Sequence, residues 1–415
     1  MREGMREIQA KSAYNIERIY MKVTDTVMYL GADDPDLDLF ESQYPAPNGV
    51  TYNSYLIEDE KIAVMDTVDR RRSKEWRASL KDALAGRTPA YLIIQHLEPD
   101  HSANIGWIAD EYPDMKLVGS ARTKAMLPQF FEKDYTDRFI AVKEGEELSL
   151  GSHTLKFFMA PMVHWPEVMV TYEESEKTLF SADGFGTFGT IKQYEDGHFG
   201  DSADKAHGFW ICEARRYYSN IVGKYGAPVQ ALLKKASLLD IDRIAPLHGP
   251  VLSMDLDYYI DKYQHWSTYT PEDSGILIAY ASIHGNTKAA MEQFARELTA
   301  RGEKVLRCDL TREHVSYAVE NAFRYDRMIL AACTYDGNLF PPMEDFLYHL
   351  QCKAFKNRKV GLVENGSWGP LAASKMKEYT DRMGLTLVDP VITIRTMRKP
   401  SDDAAFKALA DAICQ

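Results

Sequence analysis

Short apolar runs recur throughout this chain, but their rhythm changes near residue 270, and that change limits the folds open to it. From about Val23 to Val251 the runs are brief and separated by turn signals: "TYNSYLI", "KIAVMDT", "AYLIIQ", "KLVGS", "HTLKFFMA", "EVMVTY", "KTLFSAD" and "RIAPLHG". Amphipathic stretches such as "SKEWRASLKDAL" lie between several of them. Hairpin strands with interspersed helices predict a layered α/β sandwich. After the polar stretch "QHWSTYTPEDSG", residues 264–275, five runs alternate with helical patterns: "GILIAYAS", "EKVLRCDL", "RMILAACT", "KVGLVENGS" and "LTLVDPVIT". That alternation predicts a doubly wound parallel sheet with right-handed crossovers. Two α/β domains are expected, 1–265 and 274–415, joined by the polar stretch.

A length of 415 residues agrees, since one core rarely grows that large. The net charge of −12 disfavours binding to a phosphate backbone, so no nucleic-acid partner is expected. No apolar run approaches the roughly 20 residues that cross a bilayer, and "MREGMREIQAKS" lacks the apolar centre of a signal peptide. A cytoplasmic location is the simplest expectation. The five cysteines are scattered without a C-x-x-C pair, so each is expected to be a small buried hydrophobe rather than a disulfide or thiolate ligand.

The chemistry begins in "AYLIIQHLEPDHSANIG", residues 90–106, where His96, Glu98, Asp100 and His101 follow a strand-like run. In an extended segment His96, Glu98 and Asp100 would point the same way, with a helix beginning near "SANIG". His164, Asp183 and His248 likewise follow "FFMAPMV", "TLFSA" and "RIAPL". Seven groups exceed what one zinc needs and suit two metals that share a carboxylate. A thiolate-free nitrogen and oxygen set suits iron, manganese or zinc, and added carboxylates favour redox iron. The other histidines (His153, His198, His207, His265, His284, His314, His349) read as surface or local residues.

This H-x-E-x-D-H segment, with a later histidine, an aspartate and a last histidine, resembles the flavodiiron proteins. They share the H-x-H-x-D-H frame of the metallo-β-lactamase fold, here with Glu98 in place of the middle histidine. The resemblance covers nearly the whole chain and includes "TYNSYLI" and "PLHGP". It implies an αββα metallo-β-lactamase-like sandwich followed by a flavodoxin-like domain. It also implies His96, Glu98 and His164 on one non-haem iron, Asp100, His101 and His248 on the other, and Asp183 and an oxygen species bridging them. Many members place a histidine in the loop before the "YNSYLI" strand; here Glu41 or a neighbour takes that place. Tyr217, in "RRYYSNI", resembles a tyrosine aimed at the same pocket, though an ordinary core aromatic fits equally well.

In the second half, Ser282, Ile283, His284, Gly285, Asn286 and Thr287 form a loop opening into an amphipathic helix, a cradle suited to one phosphate. The loop "CTYDGNLFPPM" contributes Thr334, Tyr335, Asp336, Gly337 and Asn338, and "ENGSWGPLA" contributes Asn365, Gly366, Ser367, Trp368 and Gly369. Such loops lie beyond strand ends near the switch in winding order, where flavodoxin-like folds hold FMN. Asn338 and Asn365 offer hydrogen bonds to a ring edge; Tyr335 and Trp368 offer stacking faces. His284 stands where the flavodoxin phosphate loop usually has a threonine.

The resemblance implies reduction of dioxygen to water, of nitric oxide to nitrous oxide, or both, with electrons relayed through FMN. It also implies an external donor such as rubredoxin or a flavin reductase, and a head-to-tail homodimer or dimer of dimers. The competing expectations are a dizinc hydrolase with a regulatory flavin domain, and a flavin protein whose metal site is vestigial.

Overall fold

The structure is a computed structural model that describes residues 22–192 and 208–415. His198 and His207 lie outside the described residues. In the first half two sheets face each other. The six-stranded sheet runs in the order Val27–Tyr29, Tyr55–Ile57, Ala63–Met65, Tyr91–Ile94, Lys116–Ser120 and Phe139–Val142. The five-stranded sheet comprises Glu147–Ser149, Thr154–Met159, Met169–Glu173, Thr178–Phe180 and Arg243–Ala245.

The period-two rule explains why both faces of the first sheet are apolar. Tyr55, Ile57, Met65, Ile93 and Val118 meet Phe157, Met169 and Phe180 of the opposite sheet in one core. Their strand neighbours Leu56, Val64, Leu92, Ile94 and Leu117 turn the other way. There they pack with Trp76, Leu80 and Leu84 of the helix Ser73–Leu84, the "SKEWRASLKDAL" stretch itself. This is the expected αββα sandwich.

The second half has a parallel sheet in the order Val305–Asp309, Asp273–Ala281, Tyr325–Tyr335, Lys359–Asn365, the last pairing with both Thr386–Leu387 and Ile392–Ile394. Numbered along the chain this is 2-1-3-4-5, the flavodoxin winding. Ile276, Ile278 and Ile329 face the helices Asn286–Ala300 and Asp403–Cys414. Leu277, Met328, Leu330 and Leu362 face the opposite way, in a core continuous with that of the first half.

Three local expectations change. The stretch 264–275 is no loose linker: the helix Leu256–Thr268 runs into it, the strand Asp273–Ala281 begins within it, and Trp266, Ser267 and Tyr269 are buried. Glu272 is pinned there by Arg215 through two hydrogen bonds of 2.7 and 2.9 Å. His153 is buried rather than on the surface, because Asp59 accepts from its Nδ1 (2.7 Å) and Thr26 meets its Nε2 (2.9 Å). Of the cysteines only Cys308 is buried; Cys352 is exposed near the end of an amphipathic helix, Pro341–Cys352.

Candidate diiron and flavin sites

The strand Tyr91–Ile94 ends below the site, and the next residues do not stay extended. Pro99 occupies the first helical position of a short helix, Pro99–Ser102. Asp100 and His101 therefore lie on a helical turn, not on the His96 and Glu98 face expected of an extended segment. A second helix follows at Ile105–Glu111. The bend delivers the four residues to two places. The scaffold below is Asp66, which accepts from Gln95 N (2.8 Å), Gln95 Nε2 (2.9 Å) and His96 N (3.4 Å). Burial pushes the Asp66 carboxyl up to about 6.

All seven side chains converge. His96, Glu98, His164 and Asp183 form one group, and Asp100, His101 and His248 form another. His164 Nε2 lies 3.1 Å from both Glu98 Oε2 and Asp183 Oδ2, and His96 Nε2 lies 3.2 and 3.4 Å from the same two atoms. Asp183 turns its other oxygen to the second group: Oδ1 is 3.3 Å from His101 Nε2 and 3.8 Å from His248 Nε2. Asp100 Oδ2 faces His101 Nε2 at 3.4 Å and His248 Nε2 at 3.3 Å.

The outer nitrogens decide which way the rings present their lone pairs. His96 Nδ1 is 2.8 Å from Glu167 Oε1, and His248 Nδ1 is 2.6 Å from the carbonyl of Thr51. Each outer nitrogen thus carries a proton, and each Nε2 turns a lone pair inward. His101 Nε2 and His248 Nε2 then stand 3.1 Å apart, a repulsive approach for two bare lone pairs unless a proton or cation lies between them. Asp183 Oδ1, Asp100 Oδ1 and His164 Nε2 are buried without a hydrogen bond among the described residues. Leaving such atoms unpaired costs about 1–3 kcal/mol each. This donor set fits two cations sharing a carboxylate.

The electrostatics agree. Burial alone would raise Glu98 and lower His164, but each outweighs it for the other. The close imidazoles of His164 and His96 hold Glu98 down at about 2, while the carboxylates of Asp183 and Glu98 hold His164 up at about 9. Asp183 is driven well below the carboxylate range by His96, His101 and His164 despite its burial. In the absence of metal, protons do the neutralising.

Above the groups lies a cavity of about 300 Å³ whose walls include Phe40, Glu41, Tyr52, Glu98 and Asp100. Glu41 sits at its rim on a hairpin of Leu39–Phe40 with Tyr44–Pro45, in left-handed backbone with φ of 50°. Partial desolvation at this rim, together with the charges of Glu98 and Asp100, pushes its carboxyl up. Tyr217 ends the helix Gly208–Tyr217 with its ring 5.5 Å from that of His248, and its buried hydroxyl has no partner among the described residues. Burial and the nearby Asp183 charge hold that phenol well above its ordinary value, so it keeps its proton. Glu167 and Thr51 went unremarked in the sequence. Glu167 in "HWPE" lies 71 positions from its partner His96, a separation that no local pattern reveals.

The three loops of the second half emerge side by side from the carboxyl ends of Asp273–Ala281, Tyr325–Tyr335 and Lys359–Asn365. Ser282 Oγ accepts from Gly285 N (3.1 Å), and Gly285, at φ of 88°, precedes the helix without any side-chain cap. Its first N–H groups are therefore open to an anion. Trp368 is 86% exposed, and Tyr335 and Ile283 are partly so. Two polar groups are otherwise engaged. The Asn365 amide donates to Thr287 Oγ1 and Thr396 O and accepts from Thr396 N, so its side chain clamps loops together. Thr334 Oγ1 accepts from Leu371 N and Ala372 N at the start of a helix, Ala372–Arg382.

The comparisons with known proteins accord with this geometry. The family model of the ODP family beta lactamase matches residues 50–249. The rubredoxin oxygen:oxidoreductase of Desulfovibrio gigas superposes with a TM-score of 0.86 at 25% identity, over 95% of this chain and 97% of its own. The chain belongs to the flavodiiron protein family. The anaerobic nitric oxide reductase flavorubredoxin of Vibrio vulnificus is 26% identical over 392 residues, 92% of this chain and 76% of its own length. A flavodiiron protein of Giardia intestinalis shares the fold, with a TM-score of 0.87 at 21% identity and 95% of this chain covered. As in those flavodiiron neighbours, a β-lactamase-like sandwich precedes a flavodoxin-like sheet.

Proposed function

We propose that this flavodiiron protein is an oxidoreductase that reduces dioxygen to water, nitric oxide to nitrous oxide, or both, drawing electrons through FMN. One observation carries the reading: Asp183 turns its two oxygens toward two separate histidine–carboxylate groups. The names of the Desulfovibrio gigas and Vibrio vulnificus relatives support the same two substrates. The hydrolase alternative is disfavoured by those relatives and by Glu98, because a dizinc site wants imidazole there.

His96, Glu98 and His164 would hold one iron, Asp100, His101 and His248 the other, and Asp183 would reach both. A pair of irons supplies open positions for a small diatomic and accepts electrons from the flavin. Glu167 and the Thr51 carbonyl hold the rings of His96 and His248 in register. The Tyr217 hydroxyl, protonated and beside His248, can donate a hydrogen bond to an oxygen atom in the cavity. Glu41 stands at the entrance and can hold a proton there. Phe40 and Tyr52 narrow the cavity toward a small ligand.

FMN would sit against the three loops, its phosphate over residues 282–287 and its ring between Tyr335 and Trp368. Asn338, Gly366, Ser367 and Gly369 offer further loop contacts. An external donor such as rubredoxin or a flavin reductase, a cytoplasmic location and a head-to-tail homodimer or dimer of dimers complete the proposal. Among the described residues no helix is long and apolar enough to cross a membrane.

The test is anaerobic. The iron-loaded, prereduced protein is given each gas separately, and flavin reoxidation and products are followed. Water or nitrous oxide formed with rapid reoxidation supports the assignment. Reoxidation by neither gas, or zinc alone in an elemental assay, overturns it.

A further inference from the structure

A row of oxidisable rings leads away from the metal cluster. Two residues beyond Asp183, the Phe185 N–H donates to the Tyr263 hydroxyl oxygen (2.6 Å), and the two rings stack at 4.2 Å between centroids. Trp266 follows at 5.4 Å from Tyr263, and Trp210 lies nearly parallel to Trp266 at 6.0 Å. Tyr259 meets Trp210 edge-on at 4.5 Å, and Tyr258 lies 5.5 Å further along. Tyr218 touches the row from the side, 5.2 Å from Tyr263 and 5.4 Å from Trp266. The helix Leu256–Thr268 creates the order, since Tyr259, Tyr263 and Trp266 fall at helical spacing on one face. Tyr263, Trp266 and Trp210 are buried, while Tyr258 and Tyr259 are half-buried at the outer end.

Packing alone does not account for these residue types. The Trp210 Nε1 and Tyr218 hydroxyl are buried without a hydrogen bond among the described residues. Each carries a desolvation cost that phenylalanine would avoid. Trp266 differs: its N–H donates to Glu272 Oε2 at 2.9 Å. A carboxylate facing the indole nitrogen makes removal of an electron from that ring easier, because the resulting positive charge meets a fixed negative one. Arg215 holds that carboxylate in place.

We propose that Tyr263, Trp266, Trp210 and Tyr259 conduct an oxidising equivalent from the metal cluster to the surface when dioxygen arrives and the flavin supplies too few electrons. This rests on the dioxygen-reducing reading above. In the first step Trp266, directly or through Tyr263, gives one electron to the dioxygen-derived oxidant at the site. That oxidant is reduced and the indole is oxidised. Trp210 then reduces Trp266, and Tyr259 reduces Trp210. As it loses its electron, Tyr259 releases its phenolic proton to solvent and becomes a neutral radical. A soluble thiol returns one electron and one proton to Tyr259, and two thiyl radicals couple to a disulfide. The charge comes to rest at Tyr259, which is half-buried at the outer end of the row, whereas Tyr263 is wholly buried.

The experiment uses full-length protein loaded with ferrous iron and with its flavin oxidised. It is exposed to dioxygen without a donor, freeze-quenched for electron paramagnetic resonance, and mapped for oxidised side chains by peptide mass spectrometry. Donor-driven oxygen uptake is measured on the same preparations. The wild type should give an organic radical signal, with oxidation concentrated at Trp210, Tyr258 and Tyr259. In Trp266→Phe that outer oxidation should fall several-fold, and marks should move inward to Tyr217, Tyr263 and His248. In Tyr258→Phe/Tyr259→Phe, where a fold defect is least expected, the radical should remain on tryptophan. Unchanged outer oxidation in Trp266→Phe, or a wild type that takes up oxygen with donor yet shows no outer oxidation, overturns the conduit. A wild type that takes up no oxygen with donor overturns the reductase reading itself, which is a distinguishable failure.

Discussion

Glu167 Oε1 lies 2.8 Å from His96 Nδ1 and also accepts from Leu97 N at 2.9 Å, so one carboxylate sets both the tautomer of His96 and the path of its backbone. Glu167→Gln can keep both of these bonds through its amide oxygen but offers no charge to the ring. Metal affinity should fall about 10–100-fold, the range for residues supporting a metal ligand. Competitive chelator titration measures it, and an unchanged affinity would show that the His96 ring needs no such support.

Asp183 is the side chain common to both groups. Asp183→Ala should lose at least one metal by elemental analysis and lower gas reduction by more than about 100-fold. The flavin spectrum should be unchanged, since the flavin loops lie in the other half. Full activity in this variant would remove the bridging role.

Metal uptake should depend on pH with a definite sign. His164, held up at about 9 by Asp183 and Glu98 against the effect of burial, carries a proton at neutral pH in the metal-free protein. A cation must displace that proton. Affinity should therefore rise with pH and level off near 9, with proton release detectable in weakly buffered titrations. Affinity independent of pH would count against imidazole ligation.

The joint between the halves should fail in acid. Burial would raise the Glu272 carboxyl, but Arg215 and the Trp266 N–H more than offset it, and the folded value is lowered. A lowered carboxylate stabilises the fold above its ordinary titration range, and the benefit is lost as pH falls through the folded value. Glu272→Gln should cost roughly 3 kcal/mol at neutral pH. The gap in Tm from wild type should close on acidification; a constant gap would show that packing, not charge, is lost.

Gly285 tests the phosphate loop. An added Cβ there meets nothing within 4 Å, yet the φ of 88° disfavours any side chain. Gly285→Ala should strain the loop by about 1–2 kcal/mol and weaken FMN binding roughly tenfold. Flavin retention on dialysis, read by absorbance, measures it.

The amino-acid sequence by itself determined what depends on neighbours along the chain. Strand and helix periods set the sandwich and the parallel sheet, and the helix Ser73–Leu84 coincides with the stretch that suggested it. Residue types at strand ends marked the seven candidate ligands. Tertiary structure decided what depends on distant approaches. The Pro99 turn sends Asp100 and His101 to a different group from His96 and Glu98, against simple alternation. Glu167 and Thr51, far along the chain from the rings they orient, carry no local signal. His153 looked superficial until Asp59 and Thr26 closed around it, and 264–275 looked like a linker until Arg215 claimed Glu272. Polarity along a chain reports average exposure, whereas a buried polar group is decided by whichever partner the fold brings to it.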